Sequence, residues 1–285
     1  MGICTFCGDQ AGWFKNSHPA CVVRAEQEAA TRSQEVSDWK RFVAQSLGDP
    51  GVDTATITAR APSSLDASDR RVAAGEAFGA AIAAMIRDKV PPTREDMARI
   101  LEFAIAMGLV QGNVPRNMPN RSWLRFVMLT LLADFSEGIL PDRVEDPGLG
   151  FAYERGEKPV WVFGSVTYLE DQAQRVGGRS YRGVSLRVME GLYVHSGYSP
   201  EAQIVEGLVE VAEGNLVVTD RAMWFDGPHS VMRIWLEDIL QIHQLKDGIA
   251  FCCKGGARNR VFMTGVDEGW FAHALITRLM ERLRG

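Results

Sequence analysis

Cys4, Cys7, His18 and Cys21 all fall within the first 21 residues, and their spacing limits what this stretch can become more than any other feature of the chain. In Cys4-Thr5-Phe6-Cys7-Gly8 a tight turn brings two thiolates together, and Gly8 allows the positive φ that lets backbone N–H groups approach the sulfurs. His18-Pro19-Ala20-Cys21 supplies the other half: Asn16 or Ser17 can cap a helix, Pro19 suits its first turn, and a spacing of three puts both ligands on one face. Three thiolates and one neutral imidazole complete a tetrahedral zinc set and leave no position for the bound water that zinc catalysis uses. So short a segment cannot build an apolar core, whereas a metal can supply the missing stability. The expected cofactor is a structural Zn2+ held by Cys4, Cys7, His18 and Cys21.

The other two cysteines, Cys252 and Cys253, stand far downstream, and an odd total of five argues against a complete disulfide framework. Adjacent residues on a strand point to opposite faces, so this pair reads as one inward and one outward side chain. At 285 residues, 46% hydrophobic and 24% charged, the chain can bury a substantial core and hold two domains. A net charge of -5 disfavours nucleic acid, and the first thirty residues offer only Lys15 and Arg24 against Asp9, Glu26 and Glu28. No nucleic-acid partner is expected. No stretch approaches the roughly 18 apolar residues of a spanning helix, and the start lacks the basic and apolar regions of a signal peptide. The expectation is a cytoplasmic protein that is not transmembrane.

Two textures divide the rest. From Arg24 to about Leu47 a helix continues from the zinc ligands, with Val36, Trp39, Phe42, Val43 and Leu47 on one face, and residues 1–47 form one module. Residues 48–68, rich in Gly, Pro, Thr, Ser and Ala, read as a linker. Residues 69–147 read as a helical domain with helices at 69–89, 93–108 and 121–137, where Thr93 with Asp96 forms a capping box. The middle helix carries Met97, Ile100, Leu101, Ala104 and Ile105 at helical spacing; the third carries Trp123, Leu124, Val127, Met128, Leu131, Leu132 and Phe135. After Pro147 the pattern alternates, and a meander of strands separated by turn residues ends in a helix capped by Asp267. Its stripe is Trp270, Phe271, Ala274, Leu275, Leu279 and Leu283. The fold class is α+β, with the last domain at 148–285.

The run Gly214-Asn215-Leu216-Val217-Val218-Thr219-Asp220-Arg221-Ala222-Met223-Trp224-Phe225 resembles the G-x-L-x-x-T-x-x-x-x-x-F signature of GRAM and bacterial PH-like domains. That resemblance implies an antiparallel PH/GRAM-like β-barrel capped by the C-terminal helix. With Tyr181 to Arg187, Gly265 and Gly269-Trp270-Phe271, the wider chain is similar to bacterial proteins that join a treble-clef-like C-x-x-C, H-x-x-C zinc module to such a domain.

PH-like domains often bind phosphoinositides, which needs converging cations. Lys254, Arg258 and Arg260 are the candidates for a ligand-binding anion contact, alongside Arg179, Arg182 and Arg187, but acids such as Glu157, Glu170 and Asp247 are interleaved with them. His195-Ser196 and His229-Ser230 lack the third oriented group that nucleophile activation needs, and Glu170-Asp171 and Glu237-Asp238 would diverge on a strand. The expected function is that of a non-enzymatic zinc-containing protein-interaction or scaffold protein. The alternative is a peripheral membrane protein that binds anionic phospholipid through the PH/GRAM-like domain.

Overall fold

The computed structural model describes residues 2–12, 15–49, 51–88, 92–111, 114–115, 120–140, 151–176, 186–189, 192–194, 203–228, 230–255, 260–265 and 267–284. They fall into two compact units, Met1–Glu137 and Gly138–Gly285.

The first unit opens with β1 (Gly2–Ile3) antiparallel to β2 (Gln10–Gly12), followed by the long helix α1 (Pro19–Ser46). Only the C-terminal part of α1 is buried, through Trp39, Val43 and Ser46. Residues 48–68, the expected linker, contain the short helix α2 (Thr54–Ala59), whose N-terminus Asp53 caps by accepting the Thr56 N–H, and whose Ile57 is fully buried. Then come α3 (Ala67–Asp88), α4 (Arg94–Ala106), the two-residue strands β3 (Val110–Gln111) and β4 (Val114–Pro115), and α5 (Asn120–Ser136). Thr93 and Asp96 form the capping box of α4. That helix ends in a left-handed Gly108, with Leu109 N–H on the Ala104 carbonyl and Gly108 N–H on Ile105, the Schellman pattern. From α4, Arg99 donates to the carbonyls of Leu47 at 3.0 Å and Asp49 at 2.8 Å, placing a cation at the C-terminus of α1.

Two apolar faces differ from the sequence expectation. On α4 the buried face is Met97, Ile100, Phe103 and Ala104, while Ile105 is exposed. On α5 Leu124 is exposed, and Phe126 and Leu129 are buried instead. In both cases the helix is turned so that an aromatic ring enters the core; Phe126 meets Phe78 of α3 at 5.7 Å between ring centres.

The second unit is built on β5 (Pro159–Val176), β6 (Leu186–Met189), β7 (Leu192–Val194), β8 (Gln203–Thr219), β9 (Ala222–Gly227), β10 (Ser230–Trp235), a 3-10 turn at Leu236–Asp238, β11 (Ile239–Gln244), β12 (Gly248–Cys253) and β13 (Arg260–Met263). Seven strands form one antiparallel sheet in the order β10-β9-β8-β5-β13-β12-β11, while β6 and β7 pair separately. The helix α6 (Gly269–Arg284) closes the chain.

The expected barrel is not formed: β10 and β11 are the two edges of the sheet and do not pair with each other. The cause is the 3-10 turn between them. Its Leu236 is fully buried and donates to the Arg221 carbonyl, and Asp238 accepts from Lys254 N–H at the far side, so the chain is led towards β12 instead of back along β10.

Cross-strand register sorts the two faces. Phe163, Leu216 and Phe225 stand opposite one another, and the Phe163 ring lies 5.9 Å from Phe271 of α6, so this face holds the core. The buried stripe of α6 is Phe271, Ala272, Leu275, Ile276, Leu279 and Met280; Leu283 is exposed, contrary to expectation. Nor does Asp267 cap the helix. It sits at φ 59, its N–H bonded to the Asp247 carboxylate, and the Glu268 carbonyl takes the first helical bonds from Phe271 and Ala272.

Candidate metal centre

The hairpin and the start of α1 bring Cys4, Cys7, His18 and Cys21 together: one ligand atom from each lies within 4.8 Å of the others. The turn between β1 and β2 is set by backbone bonds, Cys4 N–H to Asp9 at 2.7 Å and Gly8 N–H to Cys4 at 2.9 Å, with Gly8 at φ 78. Thr5 N–H on the Asn16 carbonyl fastens this knuckle to the approach of α1. His18, and not Asn16 or Ser17, is the N-cap residue, with Pro19 at the first helical position. Its carbonyl accepts from Cys21 and Val22, so the first turn of the helix itself fixes the His18–Cys21 spacing.

The imidazole is oriented from both sides. Nε2 donates to the Gln10 carbonyl at 2.9 Å, which leaves Nδ1 as the inward atom, 3.4 Å from Cys7 Sγ and 3.7 Å from Cys21 Sγ. A ring N–H tied to a backbone carbonyl is how a metal-binding histidine is held in one tautomer. Three sulfurs and one nitrogen converging in this way can hold a metal ion and suit a tetrahedral, borderline-soft cation.

Protons are shared unevenly in the cluster. Burial raises the Cys4 thiol, but the backbone N–H groups of Cys7, His18 and Phe6 outweigh it and bring it down to about 6. At Cys7 the Asp9 N–H pulls down, yet burial and the sulfurs of Cys4 and Cys21 together push the thiol up to about 11. The Gln10 carbonyl, with Cys4, raises His18. One thiolate thus forms readily and opposes the next, a repulsion that a divalent cation among the sulfurs reverses.

Among the described residues, two of the basic side chains read as an anion contact stand next to acids. Lys254 lies 3.8 Å from Asp238 and Arg260 4.0 Å from Glu170, while Arg258, Arg179, Arg182 and both His-Ser pairs fall outside the described residues or include one that does. Cys252 and Cys253 are both half-buried on β12.

Sequence reasoning missed a buried charge in the second unit. The Glu157 side chain is fully buried and accepts from Thr219 Oγ1 at 2.6 Å, Trp224 Nε1 at 2.8 Å, Arg233 Nη2 at 3.1 Å and Glu154 N–H at 2.8 Å. Arg233 is stacked on the rings of Trp224 and Trp235, and Phe151 and Tyr153 pack on the same outer face of the sheet. Burial raises the Glu157 carboxyl, but these donors more than offset it and hold it below the ordinary carboxylate value. The threonine of the signature was the one available signal. No protein-family model matches the chain, and no curated protein matches it either.

Proposed function

We propose that this is a non-enzymatic, zinc-containing protein-interaction or scaffold protein, with a PH/GRAM-like domain as its second binding unit. The observation that carries the reading is the convergence of Cys4, Cys7, His18 and Cys21 to within 4.8 Å. Four protein ligands saturate a tetrahedral ion, so the metal holds structure and has no coordination position for a substrate. Beside it Ile3 is 66% and Phe6 56% exposed, an unusual outlay of apolar side chains on so small a module and the kind of surface that meets a partner. Thiolates of this type persist in a reducing compartment, which fits a cytoplasmic setting.

The PH/GRAM-like part of the reading is supported by what the signature residues do. Leu216, Thr219 and Phe225 are fully buried, and a side chain at Gly214 would run into the Asp226 carbonyl. Pairing of Lys254 and Arg260 with acids favours a protein partner over an anionic membrane.

Elemental analysis of protein purified without chelators should give one zinc per chain, and Co2+ substitution should give the thiolate charge-transfer bands of a tetrahedral site. A folded, metal-free protein that takes up neither ion sinks the proposal. Sedimentation with vesicles, with and without anionic lipid, should show no salt-sensitive binding; such binding would replace the scaffold reading with a peripheral membrane one.

A further inference from the structure

The thiols of the metal centre differ sharply in access. Cys4 is 1% exposed, Cys21 is half-buried and Cys7 is exposed. Cys7 lies on the knuckle between two very short strands, Gly2–Ile3 and Gln10–Gly12, and is exposed there. Both other sulfurs are within 4.8 Å of it.

We propose that Cys7 is an oxidation site through which hydroperoxides open the centre. The inference rests on the reading of the four residues as a zinc site. Coordinated thiolate remains a nucleophile, and an exposed one is met first by a solvent-borne oxidant. The Cys7 sulfur attacks the distal oxygen of hydrogen peroxide, the O–O bond breaks, and hydroxide leaves and is protonated to water. Cys7 is then a sulfenic acid. A second thiolate of the cluster, Cys4 or Cys21, attacks that sulfur; the S–O bond breaks and the departing hydroxide takes up a proton. Two thiolates, one peroxide and two protons give one disulfide and two waters, a two-electron oxidation. Only His18 and one sulfur would then remain to hold a metal ion, too few to retain it.

Proximity of the resolving thiols matters to the outcome. A sulfenic acid with a thiolate at hand closes to a disulfide, which reductants reverse, before a second peroxide can carry it to the sulfinic acid. His18 remains tied to the Gln10 carbonyl through Nε2, so one ligand is still oriented when the thiols are restored. The remaining cysteines are poorer targets. Both are half-buried on β12 and stand outside the cluster, whereas Cys7 is exposed with two other sulfurs within 4.8 Å.

The test uses the full chain loaded with one zinc and treated with hydrogen peroxide, with released metal read by a colorimetric chelator and cysteines mapped by differential alkylation. Release of one zinc per chain with loss of two thiols, Cys7 among them, and recovery after reduction and zinc addition are expected. Replacing Cys252 and Cys253 by serine should leave the release unchanged. Cys7→His, which keeps a zinc ligand at the position but no sulfur, should abolish rapid release. Retention of zinc while Cys252 or Cys253 oxidises, or release from the Cys7→His protein at the wild-type rate, would overturn the proposal and leave the zinc centre standing. A chain that takes up no zinc at all defeats both.

Discussion

Glu157 places a carboxylate where the surrounding protein leaves no room for water, and it holds there because every donor it needs arrives from a different part of the second unit. Glu157→Gln keeps the shape but presents an amide to Arg233 and leaves the guanidinium only the exposed Glu154, 3.5 Å away, as an acidic partner; a loss of about 3 kcal/mol, the lower end for a broken buried pair, is expected, measurable by urea denaturation followed through Trp fluorescence. The pH response follows from the lowered carboxyl. Because the folded value is depressed, its contribution is present above the ordinary carboxylate value and is lost as pH falls through the lower folded one. Stability of the Glu157→Gln protein should therefore vary less than that of the wild type over the acid range; identical profiles would show that Glu157 is not the titrating group. Little of this network was legible in the sequence. Thr219 could be picked out by the signature, but Glu157 stands 62, 67 and 76 positions from Thr219, Trp224 and Arg233, and no local pattern joins residues so far apart. The cluster of Cys4, Cys7, His18 and Cys21 was legible for the opposite reason: its chemistry is rare and its spacing is local.

Among the elements, those with end signals could be read and those set by packing could not. Thr93 and Asp96 announce the start of α4 because a capping box is a local hydrogen-bond exchange. Which face α4 buries depends on its neighbours, and Phe103 takes the place that Ile105 would have had on spacing alone. Helix α6 shows the same shift, with Ile276 and Met280 buried where Leu283 was expected. Its start is fixed by a close approach: a methyl group at Gly269 would run into the Leu245 carbonyl and the Gly248 backbone. Gly269→Ala should cost about 1–3 kcal/mol, as overpacking does, whereas Ala274→Gly on the half-buried side of the helix should cost about 1 kcal/mol or less. Equal losses would mean that α6 does not seat on that turn. Within residues 48–68 the buried side chain of α2 gives a further check. Ile57→Ala should lower stability by about 2–5 kcal/mol, while an unattached linker would show no change.

At the scale of the whole chain, the described residues pass from helices, ending with α5 at Ser136, to strands, beginning with β5 at Pro159, and a period of two and one of 3.6 cannot share a segment. Closure of the sheet was expected from the resemblance alone, and nothing local reveals that buried Leu236 turns the chain aside between β10 and β11, which stand at the two edges. The two units have separate cores, so metal loss should be felt in one only. Chelation of zinc, or Cys7→Ser, should release the first 21 or so residues to proteolysis and hydrogen exchange while the cooperative transition of the second unit keeps its midpoint. A shifted midpoint there would refute that independence.

Helix α1 begins beside His18 of the cluster and has no fully buried side chain until Trp39; its first side-chain tie to a neighbouring helix is Arg32 on Asp69 of α3, so about 20 Å of helix carries the cluster beyond that anchor. Rotation about that axis is therefore a phase carried by chain length. One residue inserted after Glu28 would swing Ile3 and Phe6 by about 100° around the helix, while seven would return them to within about 20° of their bearing, some 10 Å further out. A partner that grips the module and its own unit together would tolerate the second change far better than the first.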